Sequence, residues 1–146
     1  METISEILTK DHKRIDDIYS EVENFIVKKS WDEAGLKVSE FSSALNNHLQ
    51  AEEECLFNEF ERKTGNTMGP TQVMRMEHDQ MRQFVTQISR AITEKNYSAC
   101  AGNMETLMIL IQQHNMKEEN MLYRMCDQIL SDIQEKIIMQ IKERIS

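Results

Sequence analysis

Apolar residues recur along this chain at alternating spacings of three and four, which places their side chains on one face of an α-helix. Four such stripes occur, and only one proline and four glycines are available to interrupt them. The pattern predicts four long amphipathic helices, at about residues 3–28, 31–62, 70–94 and 97–127. The stripes consist of Ile4, Leu8, His12, Ile15, Tyr19, Val22 and Ile26; Phe41, Leu45, His48, Glu52 and Cys55; Met74, His78, Met81, Val85, Ile88 and Ile92; and Leu107, Ile111, His114, Glu118, Met121 and Met125.

Short connections between long helices force neighbouring helices to run antiparallel, so we expect an all-α, up-down-up-down antiparallel four-helix bundle. The 146 residues are expected to form a single domain, 1–146, with the bundle over 3–127. A short fifth helix is predicted at 131–144, and its isoleucines would either cap the bundle or pair with another chain. Ser30 with Glu33 predicts a capping box at the start of the second helix.

The second half of the chain repeats the first. A shift of 66 positions, the separation of His12 from His78, also places His48 on His114 and Glu52 on Glu118. Every histidine of the protein therefore falls on another histidine. One helical hairpin present twice in a bundle implies two halves related by an approximate two-fold axis.

The four histidines are also predicted to lie at one height in the bundle. Each is 16 positions from the end of its helix at residue 28, 32, 94 or 98, which is about 24 Å at 1.5 Å per residue. Two glutamates follow histidines by four residues and so share their face, one turn away. Six potential metal ligands are therefore expected in one buried layer: His12, His48, Glu52, His78, His114 and Glu118.

A metal pair explains this layer better than a polar core does. Any one of the histidines alone would more often be an ordinary buried residue, but an unpaired buried carboxylate costs on the order of several kcal/mol, and a bound cation removes that cost. The two-fold repeat assigns His12 and His48 to one ion and His78 and His114 to the other, with both glutamates bridging. Six-coordination then leaves room for an oxo or hydroxo bridge and one open place on each ion. Imidazole and carboxylate donors suit iron, manganese or zinc rather than calcium or magnesium. Iron is the metal expected at a cytosolic small-molecule site, and the donor types leave zinc and manganese open.

Each ligand histidine also needs an acceptor for its second ring nitrogen. Four carboxylates close to the histidines in sequence are available as acceptors, and which of them reach a histidine is left open: Asp11, Asp16, Glu77 and Asp79. Three further glutamates are predicted to lie on a solvated face or to flank the ligands: Glu53, Glu54 and Glu119. Glu119 is also a substitute ligand if the fourth helix contains a bulge.

Four motifs resemble those of the hemerythrin-like, or HHE cation-binding, family over about residues 5–127. They are Asp11-His12-x-x-Ile15, His48-x-x-x-Glu52-Glu53, Glu77-His78-Asp79-x-Met81-Arg82 and His114-x-x-x-Glu118-Glu119-x-x-Leu122-Tyr123. The resemblance implies a non-haem di-iron centre inside a four-helix bundle. Oxygen-carrying hemerythrins have a further histidine four residues after the third ligand, where this chain has Arg82, so reversible oxygen carriage is not expected. The set of four histidines and two glutamates is most similar to that of the di-iron iron–sulfur cluster repair proteins.

We therefore expect a protein that binds or reduces a small oxidant, namely O2, NO or peroxide, in a nitrosative or oxidative stress response or in cluster repair. The alternative is an O2 or redox sensor, or an iron-storage or iron-binding protein, with the same two iron ions and no turnover. Whether the protein is an enzyme thus stays open. A metal-free interaction bundle with polar core residues is the third interpretation.

Charge and composition exclude other classes of function. Twenty-five acidic against seventeen basic residues give a net charge of −8, which disfavours binding to nucleic acid or to an anionic membrane surface. No stretch approaches the roughly 20 apolar residues of a bilayer span, the acidic start is unlike a signal peptide, and the three cysteines form no motif. We expect a cytoplasmic protein whose partner is a small diatomic or peroxide ligand, with the C-terminal helix as the surface for a homodimer or protein partner.

Overall fold

The computed structural model describes residues 2–146 and shows an all-α fold with no strand in that range. Three of the five helices are uninterrupted. Helix α1 spans Ile4–Val27, helix α3 spans Pro70–Thr93, and the C-terminal helix α5 spans Gln134–Ile145 after a 3₁₀ turn at Ser131–Ile133. Together with the two helices described next, they confirm the predicted fold class, a four-helix bundle with a short fifth helix.

Helices α2 and α4 each contain a π-helical turn. Helix α2 begins as Trp31–Ala51, passes through the π turn Glu52–Phe57 and continues as Asn58–Thr64. Helix α4 begins as Tyr97–Lys117, passes through the π turn Glu118–Leu122 and continues as Tyr123–Ile129. Both π turns therefore begin at a predicted ligand glutamate.

The π turn in α4 corrects one part of the predicted pattern. The spacing predicts that Met121 is buried, but its side chain is 52% exposed, whereas Leu122 and Tyr123 are buried. A π turn holds one residue more than an α turn, which rotates everything after it by about 100°. A strict spacing of three and four therefore fails beyond Glu118.

The α1–α2 and α3–α4 connections have the same backbone geometry. Lys29 and Lys95 have φ of 56° and 54°, in the left-handed region. In both turns the lysine N–H donates to the carbonyl three residues back, at 2.9 and 3.0 Å, and the next N–H donates to the carbonyl five residues back, at 2.9 Å. These bonds satisfy carbonyls that the helix end would otherwise leave without a partner.

The predicted capping box at Ser30 is wrong. The side chain of Ser30 makes no capping hydrogen bond, because its backbone closes the preceding turn by donating to the carbonyl of Phe25. A capping box instead begins α1, where Glu6 N–H donates to Thr3 Oγ1 at 3.1 Å and Thr3 N–H donates to Glu6 Oε2 at 3.3 Å.

Helices α1 and α2 pack as one hairpin and α3 and α4 as the other, with further contacts between α2 and α3 and between α1 and α4. The apolar core has two parts, one toward the hairpin turns and one at the opposite end of the bundle. Helix α5 completes the second part, where its Ile137 and Ile141 are fully buried. The apolar side of α5 therefore packs against its own bundle.

The described residues include no helix that is both long enough and apolar enough to cross a membrane. Cys55, Cys100 and Cys126 are buried and form no disulfide.

Candidate metal centre

All six predicted ligand residues lie in one buried layer between the two parts of the apolar core. His12 is 5% exposed, and the other five residues are at most 1% exposed. Their donor atoms form two groups, and within each group all of these atoms lie within 4.8 Å of one another. The groups are His12, His48, Glu52 and Glu118, and Glu52, His78, His114 and Glu118.

Helix geometry explains why these side chains converge. His48 and His114 lie in the last turn of regular α-helix, and the glutamate four residues later begins the π turn on the same face. Helices α1 and α3 each supply one histidine, which joins the histidine of the other helix in the same hairpin. Glu52 and Glu118 belong to both groups, so the two groups have two residues in common.

Four donor atoms in this layer are buried without a hydrogen-bond partner among residues 2–146: Glu52 Oε1, His78 Nε2, His114 Nε2 and Glu118 Oε2. They are the second group of donors. His78 Nε2 lies 3.1 Å from Glu52 Oε1, but the two atoms are not aligned for a hydrogen bond. Leaving buried polar atoms without partners is costly, and a cation of the kind that binds imidazole and carboxylate would satisfy all four.

The Nδ1 atom of every histidine contacts a carboxylate outside the donor groups. His48 Nδ1 lies 2.8 Å from Asp11 Oδ2, and His114 Nδ1 lies 2.8 Å from Glu77 Oε1, both within one hairpin. Between the hairpins, His78 Nδ1 lies 2.8 Å from Glu53 Oε2, and His12 Nδ1 lies 2.7 Å from Glu119 Oε2. With Nδ1 donating to a carboxylate, each Nε2 is left as the atom that can bind a metal.

Of the four available carboxylates, Asp11 and Glu77 contact a histidine. Asp16 and Asp79 make no hydrogen bond to a histidine among the described residues. Glu53 and Glu119, expected on a solvated face or beside the ligands, are the other two acceptors. Each follows a ligand glutamate inside a π turn, and the wider turn directs it at the neighbouring hairpin.

Three of the four outer carboxylates are paired with a basic residue. Asp11 contacts Arg14 at 2.8 Å, Glu77 contacts Lys117 at 2.5 Å, and Glu53 contacts Arg82 at 2.9 Å. Arg82 occupies the position of the further histidine of oxygen carriers, and its guanidinium binds Glu53 rather than pointing at the donor groups.

Charge interactions dominate the protonation of this layer. Burial alone would lower the pKa of His48 and His78, but neighbouring carboxylates, Glu52 above all, raise these pKa values to about 10 and about 9. Burial would raise the pKa of Glu52, but the nearby histidines hold it well below its ordinary value. A divalent cation bound to these imidazoles would compete with protons, because a metal ligand must be deprotonated.

Tyr123 is a member of the site that the sequence pattern did not indicate. Its hydroxyl lies 2.9 Å from Glu118 Oε1, 3.0 Å from His12 Nε2 and 3.5 Å from His48 Nε2, and it also donates to Glu52 Oε2. Burial, together with the charges of Glu118 and Glu52, raises the pKa of Tyr123 well above its ordinary value. One sequence feature could have pointed to Tyr123. The 66-residue repeat pairs Tyr123 with Phe57, so the two equivalent positions differ by a single hydroxyl group.

A cavity of about 10 Å³ lies beside the donor groups, lined in part by His12, His48 and His114. Its other walls are mostly apolar: Ile15, Leu45, Leu49, Met81 and Ile111. This volume is close to the least that holds one water molecule. The space next to the donors therefore admits only a very small molecule unless the side chains around it move.

The family model described as Hemerythrin HHE cation binding domain matches residues 3–126. That range contains all six layer residues, Tyr123 and both π turns. No curated protein matches the chain, and no solved structure matches it.

Proposed function

The chain belongs to the hemerythrin HHE cation-binding family, and from this membership and the buried layer we propose that it is a non-haem di-iron protein that binds or reduces O2, NO or peroxide. The observation that carries the proposal is the group of four buried donor atoms without partners, set beside a second group that shares both glutamates. Iron bound there would supply electrons and open coordination places to a small oxidant.

The residues of the chain would serve this chemistry by orientation. The four outer carboxylates hold each imidazole with its Nε2 directed inward, which raises the basicity of the metal-binding nitrogen. The small apolar cavity restricts the ligand by size and limits the entry of bulk water. Both features suit a small oxidant rather than a larger organic substrate.

We propose iron over zinc because a small-oxidant site needs a metal that changes its oxidation state, which zinc does not. Iron is proposed over manganese because the ligand set resembles that of di-iron proteins. The proposed setting is a cytoplasmic nitrosative or oxidative stress response, including iron–sulfur cluster repair. The ligand set of four histidines and two glutamates supports that setting by its resemblance to the repair proteins.

Elemental analysis of protein produced in iron-supplemented medium tests the metal proposal. We expect about two iron ions per chain, and a loss of at least one in His78→Ala, which removes a donor of the second group. Asp79→Asn is the matched control, because Asp79 is one residue away, 73% exposed in its side chain, and makes no histidine contact. Well under one metal per chain in the unsubstituted protein would reject the proposal.

A second candidate is a sensor with the same iron pair and no turnover. It is favoured by the packing of α5 against the π turn of α2, which connects the layer to a C-terminal element. Steady-state measurement of O2, NO or peroxide consumption separates the two functions. An enzyme continues to consume its substrate when a reductant is supplied, whereas a sensor reacts stoichiometrically and stops.

A further inference from the structure

We propose that the phenol oxygen of Tyr123 is a fifth protein donor to the ion held by His12 and His48, so that the two metal positions are chemically different. This inference rests on the proposed function, because it needs metal in the layer. The difference between the two positions is the hydroxyl oxygen of Tyr123, which the equivalent residue Phe57 lacks.

The position of the hydroxyl supports a role as a donor. Its oxygen contacts all four donor atoms of the first group, at 2.9, 3.0 and 3.5 Å and through a short contact with Glu52 Oε2. Nitrogen and oxygen donors lie about 2.0–2.2 Å from ions such as zinc, so two donors at right angles around one ion are about 3 Å apart. The hydroxyl thus lies at the distance expected for a neighbouring ligand of the same ion.

The two donor groups differ in the partners of their donor atoms. In the first group the hydroxyl of Tyr123 partners every donor atom, whereas in the second group all four donor atoms lack a partner. The equivalent ring there is Phe57, which stacks on His78 with ring centroids 5.6 Å apart and an angle of 25°. Tyr123 stacks on His12 with the same separation and angle. The two rings are placed alike, and only one of them carries an oxygen.

Phenol oxygen binds ferric iron as phenolate, and its proton leaves to solvent. A ferric phenolate absorbs visible light by charge transfer from the ring to the metal, and resonance Raman excitation in that band shows the phenolate ring vibrations. Neither imidazole nor carboxylate produces these vibrations. The proposal therefore predicts a spectroscopic signature that is independent of activity, and it leaves the first ion one open place fewer than the second.

Ferric-loaded protein is the material for the test, with the Tyr123→Phe and Tyr19→Phe variants beside it. We expect phenolate vibrations in the unsubstituted protein, their complete loss in Tyr123→Phe and their retention in Tyr19→Phe. Tyr19 is the matched control because it is also buried, but its hydroxyl donates to the carbonyl of Met104 at 2.6 Å. Tyr123→Phe should fold, because Phe57 already occupies the equivalent place, and far-ultraviolet circular dichroism checks this.

Iron content separates failure of this inference from failure of the proposed function. Two iron ions per chain without phenolate vibrations, or vibrations that persist in Tyr123→Phe, would overturn the role of Tyr123 and leave the metal centre standing. Absence of bound iron would overturn both.

Discussion

Glu53 connects the two hairpins through a single side chain. It accepts from His78 Nδ1 at 2.8 Å and pairs with Arg82 at 2.9 and 3.0 Å, and these partners hold its pKa at about 2. In Glu53→Gln the side chain loses its charge, so His78 is oriented less firmly and its Nε2 becomes less basic. We expect metal affinity to fall by about 10- to 100-fold, measured by competition with a chelator of known affinity.

Asp79→Asn provides the comparison for Glu53→Gln. Asp79 also pairs with Arg82, at 3.2 Å, but makes no contact with a histidine. Its loss should leave the metal affinity within about twofold of the unsubstituted protein, because exposed ion pairs contribute little. Equal weakening in both variants would show that Arg82, rather than the bond between Glu53 and His78, sets the affinity.

At the scale of residues, the sequence predicted the grouping of the six donor residues but not all of their surroundings. His48 and Glu52 are separated by one turn on one face, and that relation holds in the structure. The contact of Glu53 with His78 could not be predicted, because a regular α-helix leaves both a solvated face and a flank of the ligands open to Glu53. Tyr123 was missed because a buried tyrosine in a repeat position is indistinguishable from a core aromatic residue until its hydroxyl can be placed. Metal binding itself stays a prediction.

Among the elements, the two hairpin turns carry a conformational cost. Lys95 adopts a left-handed conformation with φ of 54°, which costs an L-residue about 1–2 kcal/mol. Glycine removes that strain but loses about 0.5–1 kcal/mol of unfolded-state entropy. We therefore expect Lys95→Gly to raise the free energy of unfolding by about 0.5 kcal/mol, measured by urea denaturation.

Glu94→Gly is the control in the same turn. Glu94 has φ of −81°, which any residue adopts, so glycine brings only the entropic cost there and should lower the free energy of unfolding. A gain in Glu94→Gly as large as that in Lys95→Gly would show that the left-handed backbone is not the cause.

The two π turns are the part of the secondary structure that the sequence does not predict. Some helix ends carry a local sequence signal, such as Gly65 after α2 and Pro70 at the start of α3, and the predicted bounds differ from the observed ones by few residues. A π turn leaves no such signal, because it adds one residue without interrupting the helix. Its presence shows only in the side chains beyond it, where Met121 is exposed and Leu122 is buried.

For the whole molecule, α5 contributes stability through two fully buried isoleucines. Ile137 packs in the part of the core that also contains Leu56 and Tyr123. Ile137→Ala removes buried surface and leaves a cavity, so we expect the free energy of unfolding to fall by about 2–4 kcal/mol. Chemical denaturation of the metal-free protein measures this without a contribution from bound metal.

Met139→Ala tests whether burial is the reason. Met139 lies two residues further along α5 and is 64% exposed, so its replacement should change the free energy of unfolding by less than about 0.5 kcal/mol. Equal losses in both variants would show that burial of Ile137 is not the cause, because alanine is a stronger helix former than either residue and neither change weakens the helix itself.

The overall architecture was the most predictable feature of the molecule. Four long stripes and short connections allow few arrangements other than an antiparallel bundle. The packing of α5 was less predictable, because a helix with isoleucines on one side can cover its own core or another chain, and sequence does not distinguish the two. The structure resolves this for Ile137 and Ile141, which face inward.

Each donor group contains glutamates from both hairpins, so either hairpin alone lacks one of the four residues of its own group. A half-length ancestor could therefore have assembled the complete centre only as a pair of identical copies facing each other. Fusion of two such copies through the loop around Gly65 and Gly69 would have freed each half to mutate alone. The single oxygen that distinguishes Tyr123 from Phe57 is the kind of difference that a symmetric dimer cannot evolve and a fused gene can.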